Sequence, residues 1–138
     1  MYEPIRSTSV HSTAGTPADF PGRSREDELD IQLAGHLSAL LAATDELRAM
    51  APSGDLDTAA DRLAEQVARL RGGRSPVRAP LPCAPAARRP AALHRRAHTL
   101  AGRALVVAAS RADTAAAILA AERMDAHAAA GERRELAV

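Results

Sequence analysis

The chain has 138 residues, a formal net charge of +1 and one cysteine, a length that fits one domain and a cysteine count that excludes an internal disulfide. Fifteen Leu, three Ile, six Val and one Phe are its larger core formers. Alanine therefore supplies much of the apolar fraction, and each helix contact removes little area from water, at roughly 25 cal/mol per Å2. Such a thin core calls for completion by self-association or by a partner. The net charge is too small for disorder of the whole chain, and the apolar residues fall at helical spacing.

The longest apolar run, Ala115 to Ala121, covers seven residues, against the roughly 18 that a membrane span needs. Met1 to Pro4 contains no basic region leading into an apolar run, so no signal peptide is expected and the expected location is the cytoplasm. Residues 1–23 hold six Ser or Thr and three Pro without a period of 2 or 3.6, which predicts a disordered arm.

Order is predicted to begin at Ser24, where an acid three residues on, Asp27, and the run Glu26, Asp27, Glu28 and Asp30 suit a helix N-terminus. Leu33, Leu37, Leu40, Thr44, Leu47 and Ala51 then recur at steps of 4 and 3, a heptad seam of coiled-coil type that Pro52 and Gly54 end. A second helix carries Leu56, Ala60, Leu63, Val67 and Leu70 at the same steps, with Glu65 set four residues before Arg69 for a surface pair, and closes at Gly72 and Gly73. The short connection predicts an antiparallel hairpin over 24–72.

Residues 73–89 hold Pro76, Pro80, Pro82 and Pro85 and read as an extended, semi-rigid Pro- and Arg-rich linker. From Pro90 the chain runs to Ala130 without another proline, and Leu93, Ala97, Leu100, Ala104, Val107, Ala108, Ala115, Ile118 and Leu119 share one face if the helix is continuous. The expected fold is all-α, an antiparallel bundle of three long helices, with residues 90–131 as a long C-terminal helix ended by Gly131 and 132–138 as a frayed tail. A break near Ser110, where Ser110 and Asp113 have capping spacing, makes four helices the alternative.

Charge is unevenly placed. Residues 1–68 carry −7, residues 69–112 carry ten Arg and no acid, and residues 113–138 carry −2. Arg74, Arg78, Arg88, Arg89, Arg95, Arg96 and Arg103 are the candidate phosphate- or partner-binding residues, and several sit near a helix start, where the dipole disfavours cations. A structural reading pairs them with Glu26, Asp27, Glu28 and Asp30 or leaves them in solvent. Tyr2 and Phe20 are the sole aromatics and leave no stacking platform for single strands.

His94 and His98 stand four residues apart on one side of a helix, a spacing that chelates metal. The motif of zinc proteases needs Glu after the first His, and here Arg95 follows it. Cys83, His36 and His127 are the remaining soft ligands, and Cys83 among arginines is the candidate redox residue. No phosphate loop, nucleophile elbow or paired-carboxylate motif stands out. The expectation is a non-catalytic, regulatory interaction module working through helix faces and homodimerisation. A nucleic-acid-associated protein using Arg69 to Arg111 is second, and a metal or redox sensor third. No cofactor, no small-molecule ligand and no membrane partner is expected.

Overall fold

The computed structural model describes residues 24–79 and 89–137, with side chains as far as 133. The described residues form four helices and no strand: α1 (Arg25–Met50), α2 (Gly54–Leu70), α3 (Pro90–Ser110) and α4 (Thr114–Ala137). The arm 1–23, Arg88 and Cys83 lie outside the described residues.

Local chemistry starts and stops the first two helices. Ser24 Oγ accepts from the Asp27 amide at 3.0 Å while the Asp27 carboxylate accepts from the Ser24 amide at 3.4 Å, a reciprocal cap that satisfies two otherwise orphaned donors. Ser53 Oγ accepts from the Leu56 amide at 3.1 Å and opens α2 directly after Pro52. At the end of α2, Gly72 takes φ 73° and the Gly73 amide donates to the Ala68 carbonyl at 2.7 Å, the Schellman closure that glycine allows at little steric cost.

The expected single helix from Pro90 to Ala130 is two helices. The Asp113 amide donates to the Ala108 carbonyl at 2.8 Å and the Ala112 amide to the Ala109 carbonyl at 3.1 Å, so α3 ends in the same Schellman pattern as α2. Here alanine occupies the left-handed position, with Ala112 at φ 55°. Asp113 then caps α4 by accepting from the Ala116 amide at 3.2 Å. The cap is thus Asp113 and not Ser110, whose hydroxyl donates back to the Val106 carbonyl at 3.0 Å.

The reversal resets which residues of α4 face inward. Ala116, Leu119 and Ala120 are buried, whereas Ala115 and Ile118, placed inward by a continuous helix, are exposed. α4 also passes through Gly131 to Ala137, so most of the segment expected as a frayed tail has a helical backbone.

The packing of ends shows the topology. Leu47, Leu56 and Leu93 cluster where α1 ends and α2 and α3 begin. At the other end Arg111, after α3, pairs with Asp30 of α1 at 3.0 Å, and Arg69 of α2 pairs with Asp113 at 2.8 Å. Both α2 and α3 therefore run antiparallel to α1, and the segment between them must travel back along the bundle, about 30 Å for a helix the length of α3. Its described part does so: Arg78 binds Asp45, toward the end of α1, through two hydrogen bonds of 2.8 and 2.9 Å.

The core is asymmetric. α1 and α2 contribute Leu33, Leu37, Leu40, Leu41, Leu63 and Val67, all buried, and the one polar seam residue, Thr44, donates its hydroxyl to the Leu40 carbonyl. The seam between α3 and α4 is dominated by Ala97, Ala101, Ala104, Ala108, Ala116 and Ala120. Small residues let these two backbones approach closely. At Gly102 a Cβ would lie 3.6 Å from the Met124 methyl.

Candidate functional site

The basic block divides into arginines consumed by the fold and arginines left on the surface. Arg69 binds Gln66 and Asp113 and not Glu65, Arg111 binds Asp30, and Arg74 Nε donates to the Arg71 carbonyl at 3.4 Å. Arg78 holds the Asp45 carboxyl below its ordinary value through its hydrogen bonds and charge, with a smaller contribution from Arg48, against the opposing effect of burial.

Arg89, Arg95, Arg96 and Arg103 are exposed and make no ion pair among the described residues. The acids expected to face the block lie in the first two turns of α1. Those turns are at the opposite end of the bundle from the start of α3, and Asp30 meets the last arginine of the block, Arg111. At 100° per residue Arg95, Arg96, Thr99, Arg103 and Val106 occupy about a third of the circumference of α3, and all five are exposed. Val106 is 66% exposed, among the most open large aliphatics described.

The second cluster lies where α1 ends and α2 and α3 begin, against the C-terminal half of α4. A cavity of about 480 Å3 there is lined by Leu47, Met50, Leu56, Ala126 and Ala130 on its apolar side and by Asp55, His94, Arg123, His127 and Arg133 on its polar side. Arg123 and His127 stand one helical turn apart on the inner face of α4, and their residues are only 4% and 2% exposed. An arginine so placed costs several kcal/mol unless it is paired. Arg123 donates through NH1 to both Asp55 oxygens, at 3.3 and 3.1 Å, and Asp55 itself stays 68% exposed.

The hydrogen bonds run on in one direction. A guanidinium only donates, so His127 Nε2, 3.4 Å from Arg123 NH2, is the accepting nitrogen of a neutral ring. The proton of that ring is then on Nδ1, which lies 2.9 Å from His94 Nδ1 and donates to it. The two rings are tilted by 47° with centroids 5.2 Å apart. Burial pushes the His127 pKa down to about 3, helped by the charge of Arg123 and by His94 and His98, with Asp55 opposing. The result is a buried polar chain, Asp55 to Arg123 to His127 to His94. One donor in it, Arg123 Nε, is buried without an acceptor.

His94 is thus paired through space with His127 of α4. Among the described residues no group of three or more His, Cys, Asp or Glu is placed to hold a metal. Nor is any described helix long and apolar enough to cross a membrane. Sequence reasoning singled out His94 and named His127 only as a distant ligand; it missed Arg123 and Asp55. The available signal was phase: with α4 counted from Asp113, Arg123 and His127 continue the inward series of Ala116, Leu119 and Ala120, where apolar residues belong.

Compared with known proteins, the chain matches no family model, no curated protein and no solved structure.

Proposed function

We propose that this chain is a non-catalytic, regulatory interaction module that recognises the acidic surface of a protein partner through the outer face of α3. The observation that carries this reading is the set Arg95, Arg96 and Arg103, exposed and unpaired on a helix face that also bears Thr99 and the exposed Val106. Arginine and apolar side chains together are what protein interfaces enrich. Contacts to a phosphate backbone have little use for an exposed aliphatic side chain on the same face. Self-association belongs to the same reading. Leu105 and Met124 pack against the core, which leaves Val106 and Ile118, 66% and 55% exposed, on either side of the turn between α3 and α4.

Nucleic acid is the second reading, favoured by the absence of any acid between residues 69 and 112. Titration of the protein with an acidic peptide bearing aliphatic residues, and with duplex DNA, separates the two across a salt series. Peptide binding that persists near 0.15 M salt and is lost in the triple variant Arg95→Gln, Arg96→Gln, Arg103→Gln is expected. DNA binding that falls steeply with salt, with no peptide binding, would instead favour the second reading.

A further inference from the structure

We infer that the cavity where α1 ends and α2 and α3 begin is a binding site for a small monocarboxylate with an apolar tail. The starting point is Arg123, which lines the cavity with its side chain 5% exposed. Its NH1 is committed to Asp55, but its other edge is poorly used: Nε has no acceptor, and NH2 is 3.4 Å from His127. That Nε and NH2 edge is one a guanidinium presents to a carboxylate in a paired, two-bond contact.

The charge of the site selects the head group. Among the described residues, Arg123 and Arg133 line the cavity with Asp55 as the single acid, so one positive charge remains over there when His127 is neutral. One excess positive charge suits a monoanion. A dianionic phosphate would leave negative charge uncompensated beside Asp55. The shape of the wall selects the tail. Met50, Leu56, Ala126 and Ala130 offer an aliphatic lining opposite the polar groups, and a volume near 480 Å3 is within the range of small-molecule sites.

The test is a methyl-NMR titration of the full chain with hexanoate, set beside hexanol, which keeps the tail, and inorganic phosphate, which keeps only an anion. Hexanoate is expected to give saturable shifts at the Met50, Ala126 and Ala130 methyls, with hexanol and phosphate each at least about tenfold weaker. Arg123→Gln is expected to weaken hexanoate by about tenfold or more while leaving hexanol unchanged. Should that variant fail to fold, Arg133→Gln, at an exposed position, is expected to weaken hexanoate alone by about twofold or more. Shifts that do not saturate, shifts centred elsewhere, equal binding of hexanol, or an unchanged affinity in the folded variant would each overturn the assignment.

Discussion

The two hairpins of this bundle have helices that end in the same backbone motif and are held together by different chemistry. After α2 the left-handed position of the Schellman closure is Gly72; after α3 it is Ala112. α1 and α2 interlock through long leucines, while α3 and α4 meet through alanines and keep their polar residues, Arg123 and His127, on the inner face. One hairpin derives its stability from apolar area. The other gives up area for close approach and for a buried polar chain, and both surfaces proposed as functional draw on it.

The largest break in this contrast comes from changing side-chain size. Leu37→Ala, at a fully buried position of α1, should cost about 2–5 kcal/mol by loss of transfer energy and the cavity left behind. In the alanine seam the opposite change hurts: Ala101→Leu should cost about 1–3 kcal/mol through overpacking against α4. Urea denaturation measures both. A freely tolerated Ala101→Leu would show that the close approach of α3 and α4 is not needed.

Next is the polar chain. His127 has a folded-state pKa of about 3 against about 6.5 in the unfolded chain, so the unfolded chain takes up the proton first as pH falls. The stabilisation is complete above about 6.5 and is lost progressively toward 3, with a limiting slope of about 1.4 kcal/mol per pH unit. His127→Gln should flatten this part of the stability profile between pH 6.5 and 4.5, and an unaltered slope would remove His127 as its source. Asp45, whose pKa is lowered, acts in a more acidic window that begins as the first one closes, losing its contribution as pH falls below its ordinary value near 3.8.

The smallest effect is the sharpest, because the same motif position should respond with opposite sign in the two hairpins. Ala112→Gly releases an alanine from φ 55° and should stabilise by about 0.5–1 kcal/mol, net of glycine's extra freedom in the unfolded chain. Gly72→Ala should destabilise by about 1 kcal/mol, and for backbone reasons alone, since no atom lies within 4 Å of the added Cβ. Equal signs in thermal melts would mean that the two turns are not equivalent.

Ser24 with Asp27, Ser53 after Pro52, and the leucine steps of α1 and α2 were legible because each rests on residues a few positions apart. The turn at Ala112 was legible only as the alternative that the capping spacing of Ser110 and Asp113 offered, because Ala is a strong helix former and carries no local instruction to stop. What makes the turn worthwhile lies far away in the chain, in Asp30 beside Arg111 and in Arg69 beside Asp113. Misreading that turn shifted the phase of everything after it, so Ile118 was assigned inward and the inward direction of Arg123 and His127 went unseen.

By itself the sequence determined that the chain is helical, where α1 and α2 begin and which of their faces turn inward, since caps and heptad periods act over one or two turns. It also determined the unequal distribution of charge. Only the tertiary structure decided that the last helical stretch folds back on itself, that the first turn of α1 lies too far from the start of α3 to neutralise Arg95 and Arg96, and that Asp55, Arg123, His127 and His94 share one cavity wall. Those outcomes depend on which ends of antiparallel helices meet. That is settled by the packing of whole faces and the length of the crossing segment, which no local pattern of residues encodes.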